Sequence, residues 1–93
     1  MKIFQSRLFA KQVKKIHKNE KLLLDKEIKK ICKNAYIGVR KKGSLSDVFV
    51  HKYKNKTVQY LLSYRVKENI IELVAIGTHE NYYRDLEKYL KSI

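Results

Sequence analysis

The sequence contains few of the residues that cross-link, bend or interrupt a chain. Among 93 residues there are one cysteine (Cys32), three glycines, and neither proline nor tryptophan. A single cysteine excludes an intrachain disulfide and a cysteine-based metal cluster, so we expect Cys32 to be a small core residue. The sequence also lacks a glycine-rich phosphate loop, an HExxH motif and an acidic metal cluster. We therefore expect a protein that uses no metal and no cofactor.

Long hydrophobic segments are also absent. Five basic residues interrupt the first fifteen positions, which leaves no continuous apolar segment for a secretion signal, and no run approaches the length of a membrane span. A chain of this length supports one hydrophobic core. The sequence therefore predicts a single domain, residues 1–93, located in the cytoplasm and without a membrane contact.

Acidic residues are scarce, and the imbalance is uneven along the chain. There are 22 Lys and Arg against 9 Asp and Glu, which gives a net charge of +13. Residues 1–56 hold 17 basic and 4 acidic side chains, whereas residues 57–93 hold 5 of each. Such a field attracts nucleic acid, a ribosome, an acidic protein or an anionic membrane, although solvated helix faces alone would also carry lysines. The candidate RNA- or ribosome-binding residues are Lys14, Lys15, Lys18, Lys26, Lys29 and Lys30.

Two amphipathic helices are indicated in the first 35 residues. Ser6 is suited to cap a helix in which apolar residues recur at helical spacing. After a polar turn at residues 18–21, a second apolar stripe predicts another helix. The first stripe is Phe9, Val13 and Ile16, and the second is Leu24, Ile28, Ile31 and Ala35, with Cys32 beside them. The residues before Ser6 fit a short strand.

The pattern changes to β-strands from Val48. Segments 48–54, 57–66 and 70–76 are rich in β-branched and aromatic residues, which predicts a three-stranded antiparallel meander. If residues 55–56 form a two-residue loop, alternation divides the side chains between two faces. The predicted core face carries Phe49, Tyr53, Val58, Tyr60, Leu62, Tyr64 and Val66. The opposite face, predicted to be polar and basic, carries Lys52, Lys54, Thr57, Gln59, Leu61, Ser63 and Arg65.

A C-terminal helix with a stripe of Tyr82, Leu86, Tyr89 and Ile93 completes an α+β fold, in which two N-terminal helices pack on a small antiparallel sheet.

Two residues near the last strand are candidates for a catalytic site, with His79 as the group that transfers protons. His79 precedes the predicted C-terminal helix, and an imidazole there can titrate near neutral pH. Tyr83 follows four residues later, close enough to share a site. The alternatives are a helix-capping or surface histidine and a tyrosine that packs.

The predicted polar sheet face supplies candidate phosphate ligands. Lys52, Lys54 and Arg65 are cations that could stabilise a pentacoordinate phosphoryl group. For Arg65 there is an alternative, because a turn at residues 68–69 would place Glu72 opposite it as a cross-strand ion pair. His51 alternates onto the core face, so we expect it to be packed. Cleavage without a metal would require RNA, whose 2′-hydroxyl can attack the adjacent phosphodiester.

Several short motifs resemble one known superfamily. They are the strand YLLSYRV at 60–66, the segment LVAIGTHENYY at 73–83, and VFVHKYK at 48–54 followed by QYLL at 59–62. The chain resembles the RelE/ParE superfamily of toxins from bacterial type II toxin-antitoxin modules, most clearly from Leu45 to Leu90. The turn at 77–79 with Tyr83 is similar to YafQ-like members, and the segment 48–62 is most similar to the ParE-like branch.

The resemblance implies a RelE-like microbial RNase fold and a cognate antitoxin that holds the toxin inactive. For the RelE branch it also implies cleavage of mRNA in the ribosomal A site. By position, Lys52 and Lys54 match lysines of the RelE active site, and His79 and Tyr83 match a catalytic pair of YafQ-like members. RelE-type nucleases commonly carry an arginine where this chain has Leu61.

Phosphate stabilisation would then pass to Arg65, two positions further along the same predicted face. We therefore expect a ribosome-dependent, metal-independent mRNA endoribonuclease toxin. In this interpretation Lys52, Lys54 and Arg65 hold phosphate, His79 transfers protons, and Tyr83 orients a base. One alternative is a ParE-like DNA gyrase inhibitor without nuclease activity. Another is a basic nucleic-acid-binding domain without toxicity.

Overall fold

The structure is a computed structural model that describes residues 2–40, 48–78 and 91. Its elements in chain order are β1 (Lys2–Gln5), α1 (Arg7–Lys14), α2 (Lys18–Lys33), β2 (Val39–Arg40), β3 (Phe49–Asn55), β4 (Val58–Lys67) and β5 (Ile70–Thr78). The strands form one sheet in the order β1-β5-β4-β3-β2, with β1 parallel to β5 and the other pairs antiparallel. The α+β class, the meander and the N-terminal strand are confirmed. The predicted C-terminal stripe lies outside the described residues.

The helix α1 begins where the sequence predicts and covers part of the edge of β5. The Ser6 hydroxyl accepts a hydrogen bond from the Phe9 N–H at 2.9 Å, which caps the helix. The same hydroxyl donates to the Val74 carbonyl at 2.6 Å, and Gln12 Oε1 accepts from the Ile76 N–H at 2.8 Å. Because β1 ends before α1, these two side chains satisfy backbone groups of β5 that no strand partner reaches from that side.

The helix α2 begins earlier than predicted. The polar turn expected at residues 18–21 is instead the first turn of the helix, which starts at Lys18 after His17. The Lys21 N–H already bonds to the His17 carbonyl at 3.0 Å. Glu20 in this turn is favourable because the N-terminal end of a helix dipole is positive. The polar run is therefore part of the helix, with Lys18 and Asn19 exposed, and it is not a loop.

The hairpin between β3 and β4 turns one residue later than predicted. Asn55 pairs with Val58, so the loop is residues 56–57, and Lys56 adopts a positive φ of 59°. This moves the strand pairing by two residues, and Lys54 faces Gln59 rather than Thr57. Because side chains alternate with a period of two, a shift of two leaves every side chain on its predicted face.

The helices pack against one side of the sheet, which we call the inner face. The predicted stripes of α1 and α2 and the predicted core face of β3 and β4 meet there, which confirms their assignment, and Cys32 packs against this core. Val58 is an exception, since it is 40% exposed at the end of the hairpin. The buried residues of this core are Phe9, Leu24, Ile31, Ala35, Leu62, Tyr64, Ile71, Leu73 and Ile76.

The short strand β2 at the edge of the sheet was not predicted. Val39 in this strand pairs with Val50 of β3. The preceding Gly38 approaches the sheet closely: its N–H donates to the Tyr64 phenol oxygen at 3.0 Å, and a Cβ atom at position 38 would lie 2.9 Å from that oxygen and 3.0 Å from the Val50 backbone. Glycine permits this approach because it has no Cβ. A strand of two residues is too short to show an alternation pattern.

Truncation of Leu62 should destabilise the protein strongly. Leu62 is fully buried between the sheet and the helices, so we expect Leu62→Ala to lower the free energy of unfolding by about 2 to 5 kcal/mol. Leu22 is 58% exposed, and the matched variant Leu22→Ala should change it by less than about 0.5 kcal/mol. Urea unfolding of the three proteins measures both effects, and equal losses would contradict the assigned core.

Candidate functional site

The side of the sheet opposite the helices, which we call the outer face, carries the predicted basic residues of β3. Lys52 and Lys54 alternate along this strand, are exposed, and lie about 7 Å apart along it. Lys54 faces Gln59, and β5 ends nearby because Thr78 pairs with Tyr60. We call this region the lysine end of the outer face. Two exposed cations at this spacing can bind a phosphate group.

The middle of the outer face is apolar and buried, so the prediction of a continuous polar face was wrong. Leu61 is 0% exposed and belongs to a buried cluster, against which Leu8 of α1 packs. The four consecutive residues Leu61–Tyr64 are all buried, which requires cover on both faces of β4. A strand buried on both faces shows a near-continuous apolar run instead of alternation. The cluster consists of Val48, Val50, Leu61, Val74 and Ala75.

Arg65 lies at the other end of the outer face, in the ion pair that the sequence suggested as one of two interpretations. It pairs across the strands with Glu72, and the Arg65 Nη1 to Glu72 Oε1 distance is 3.4 Å. The side chains are 35% and 40% exposed, so the guanidinium still reaches solvent. Beside it is a groove of about 280 Å³, lined by Phe4, Arg65, Lys67, Ile70 and Glu72.

The two sets of cations on the outer face are separated. Lys52 stands opposite Leu61, and Arg65 is four residues further along β4, a distance of about 13 Å. Between the two levels lies the buried pair of Val50 and Ser63. The lysines and Arg65 therefore share a face, as predicted, but they do not meet at one point of the described structure. His79 and Tyr83 lie outside the described residues.

A buried carboxylate, which the sequence analysis missed, joins α2 to β3 on the inner face. Glu27 is 4% exposed; its Oε1 lies 2.8 Å from His51 Nε2 and its Oε2 lies 2.9 Å from Lys30 Nζ. Burial by itself raises the pKa of Glu27, but the hydrogen bonds from His51 and Lys30 outweigh it and the pKa is lowered. The expectation that His51 is packed is confirmed. The sequence did indicate that Glu27 is buried, because it shares one face of the helix with the apolar residues Leu24 and Ile31.

Tyrosines fill the space beside this pair. Tyr53 stacks on Tyr60 with ring centroids 5.6 Å apart, and the His51 ring lies 6.1 Å from that of Tyr53. Burial, followed by the charges of Tyr60 and the nearby glutamates, raises the pKa of Tyr53. Burial and a hydrogen bond to Glu20 raise the pKa of Tyr60. These phenols therefore stay protonated at neutral pH and act as packing groups.

The predicted basic residues of the helices are on the surface. Exposure is observed for Lys14, Lys15, Lys18, Lys26, Lys29 and Lys30. Lys30 differs from the others because its ammonium group is paired with Glu27, which reduces its contribution to the positive field. Within the described ranges, no group of three potential metal ligands occurs, and no helix is long and apolar enough to cross a membrane.

A match to a protein-family model identifies the class of this chain, a small toxin of a bacterial toxin-antitoxin system. Residues 3–87 match the family model described as the ParE-like toxin of type II bacterial toxin-antitoxin systems, and the chain belongs to this family. No curated protein matches the chain.

Three solved structures share the fold. A chain of the intact E. coli RelBE toxin-antitoxin complex is 18% identical, with a TM-score of 0.68 over 85% of this chain and 96% of that one. The isolated E. coli RelE toxin is 17% identical, with a TM-score of 0.65 over 95% and 97%. A conserved hypothetical protein from Helicobacter pylori is 19% identical, with a TM-score of 0.55 over 85% and 94%. At these identities the likeness shows a RelE-like fold.

The Glu27 pair should make stability depend on acid pH. The pKa of Glu27 in the folded protein lies below its ordinary value of 4.5. The ionised Glu27 therefore makes its full contribution to folding stability above pH 4.5, and this contribution is lost as the pH falls through the folded-state pKa. Glu27→Gln should lower the unfolding free energy by about 1 to 3 kcal/mol at pH 7, with a deficit that shrinks below the ordinary value. Unfolding measured from pH 7 to pH 3 tests this, with the exposed Asp25→Asn as control. A deficit independent of pH would contradict the assignment.

Removal of Glu72 should distinguish the two interpretations of Arg65. If Arg65 can bind anions, Glu72→Gln should tighten binding to polyphosphate, while stability changes by less than about 1 kcal/mol because the ion pair is solvent-exposed. Glu68→Gln removes the same charge from the exposed adjacent turn and serves as control. Equal tightening by both variants would show a net-charge effect, and Arg65 would then be a structural partner of Glu72.

Proposed function

We propose that this toxin is a ribosome-dependent endoribonuclease that cleaves mRNA without a metal ion. Cleavage of the mRNA inhibits translation. The observation that carries the proposal is the lysine end of the outer face, where Lys52 and Lys54 of β3 are exposed and β5 ends at Thr78, one strand away across β4. The sequence continues from there to His79. A net charge of +13 attracts a ribosome and its mRNA. A cytoplasmic location follows from that target.

The proposed reaction is an attack of the RNA on itself. The 2′-hydroxyl oxygen forms a bond to the adjacent phosphorus, and the bond from phosphorus to the 5′-oxygen of the next nucleotide breaks. A base removes the proton of the 2′-hydroxyl, and an acid protonates the leaving 5′-oxygen. The products carry a 2′,3′-cyclic phosphate and a 5′-hydroxyl.

In this proposal each candidate residue has a separate role. Lys52 and Lys54 offset the extra negative charge that develops on the phosphoryl group. His79 transfers protons, and Tyr83 orients a base of the mRNA; both roles rest on the sequence resemblance. Arg65 lies about 13 Å along the strand from the level of Lys52, so it would contact a neighbouring phosphate rather than the one that is cleaved.

A cognate antitoxin is the second proposed partner. Type II modules pair a toxin with a protein inhibitor, and one structural neighbour is part of a toxin-antitoxin complex. The basic surface of this toxin fits an acidic antitoxin segment, because opposite charges favour both association rate and specificity.

Inhibition of DNA gyrase is the alternative function. Leu61, which stands where RelE-type nucleases commonly carry an arginine, is fully buried here, so this position supplies no charge to a phosphate. Arg65 is engaged with Glu72, and the matching family model is that of ParE-like toxins. A gyrase inhibitor would use the same surfaces for protein binding and would need no proton transfer.

Cleavage of mRNA on purified ribosomes tests the proposal directly. The toxin should yield fragments with 5′-hydroxyl ends, and His79→Ala should slow cleavage about 10²- to 10⁴-fold without loss of ribosome binding, because proton transfer contributes this much. Lys52→Ala combined with Lys54→Ala should slow it as well. His17→Ala is the matched control, since His17 is exposed and makes no side-chain cap on α2.

Two results would contradict the ribonuclease proposal. One is full toxicity of His79→Ala in cells without antitoxin. The other is gyrase-dependent DNA breakage with intact mRNA, which would establish the alternative function.

A further inference from the structure

The solvent side of α2 carries a row of lysines. With about 3.6 residues per turn, five positions of this helix fall in one narrow sector that faces away from the sheet. All five are exposed and four are cationic. We call this row the α2 stripe; it consists of Lys18, Leu22, Lys26, Lys29 and Lys33.

The acidic residues of α2 hardly weaken the field of the stripe. Glu27 is buried and bonded to His51 and Lys30. Glu20 is half-buried and lies close enough to Tyr60 to raise the pKa of that phenol. Asp25 is the remaining acid of this helix and is exposed. Two of the three carboxylates are thus engaged in contacts with the inner face, and the exposed lysines have one acidic neighbour on their own helix.

An exposed aromatic ring stands just beyond the end of the stripe. Tyr36 is 70% exposed, and its Cα atom is at most about 11 Å from that of Lys33, three residues earlier. Its position is fixed: the Tyr36 N–H donates to Asn34 Oδ1 at 3.2 Å, and its ring makes an edge contact with Phe49 at 5.7 Å and 68°. Gly38, two residues later, is tied to Tyr64. The contact with Phe49 positions one edge of the ring, and most of its surface faces solvent.

We propose that the α2 stripe and Tyr36 form a binding site for single-stranded RNA. The lysines contact successive phosphates, and the Tyr36 ring stacks on one base. Cations that follow a backbone, with an aromatic platform beside them, are the arrangement that binds single strands without sequence readout. A docking helix would instead need an apolar seam, and Leu22 is the single apolar residue of the stripe.

The site lies on the side of the sheet opposite Lys52 and Lys54, because α2 packs on the inner face. It therefore binds RNA away from the proposed cleavage site. The inference rests on the proposed function only for the choice of RNA as the polyanion.

Binding of a twelve-nucleotide 2′-O-methyl RNA, measured by fluorescence anisotropy, tests the role of Tyr36. The 2′-O-methyl group prevents cleavage. Tyr36→Ala should weaken binding about 5- to 100-fold, the range of one lost base–aromatic stack. An abasic strand of equal length should bind both proteins equally. Tyr36→Phe should restore binding, and Val39→Ala, at a residue 60% exposed on the same segment, should leave it unchanged.

Salt dependence tests the stripe separately. Replacement of Lys26, Lys29 and Lys33 by Gln should reduce the slope of log affinity against log salt by about two units, since each phosphate contact contributes about 0.7 on single strands. The matched control replaces Lys2, Lys11 and Lys91 by Gln; these residues are exposed elsewhere, and their replacement should leave the slope unchanged.

Three results would overturn the inference: equal effects of Tyr36→Ala on the normal and abasic strands, no effect on either, or equal slope changes in the two triple variants. Tight binding of an acidic apolar peptide to this patch with no binding of RNA would likewise overturn it and assign the patch to a protein partner. If the toxin does not cleave mRNA on ribosomes but the RNA-binding experiments give the expected results, the proposed function is refuted and the inference stands.

Discussion

The burial of β4 on both faces determines the register of the sheet. Leu62 and Tyr64 point into the helix-covered core, while Leu61 and Ser63 point into the second buried cluster. A slip by one residue would exchange these two sets, placing the Ser63 hydroxyl in the helix-packed core and the Tyr64 ring in a space filled by smaller side chains. Strand pairing is therefore strongly specified. The same pairing fixes the positions of Lys52, Lys54 and Arg65 on the outer face.

The same burial separates the candidate chemistry into two ends. A buried apolar centre on the outer face keeps the lysine end apart from the Arg65 groove, so the cations that the structure describes on this face stand at its two ends. On the inner side, Glu27 bonds to His51 of β3, and Glu20 lies near Tyr60 of β4. Those contacts attach α2 to the sheet and at the same time withdraw negative charge from the surface. The positive charge of the α2 surface is therefore less offset than the number of acidic residues in this helix suggests.

The sequence predicted the elements whose pattern is long, and missed those that depend on contacts across the fold. Helical spacing located α1 and α2, and alternation placed Phe49 and Leu62 on one face correctly. The turn after Asn55 was misplaced because several polar residues there are compatible with a loop, and the start of α2 was misplaced because a polar first turn looks the same as a linker. The cross-strand partner of Arg65 was predictable, since a two-residue turn fixes the pairing. The contact between Glu27 and His51 was not predictable, because it joins two elements through residues that are 24 positions apart in the sequence.

The parallel pairing of β1 with β5 has a consequence for the order of synthesis. Ser6 bonds to Val74, 68 positions later, and β1 adjoins β5 alone in the sheet. At about 5 to 20 residues per second, β1 must wait about 3 to 14 seconds for its partner strand to be made. Until then Ile3 and Phe4 have no strand beside them, and the last side of the sheet can close only when nearly the whole chain has been translated. The first strand to be made therefore cannot take its place in the sheet until β5 has been translated.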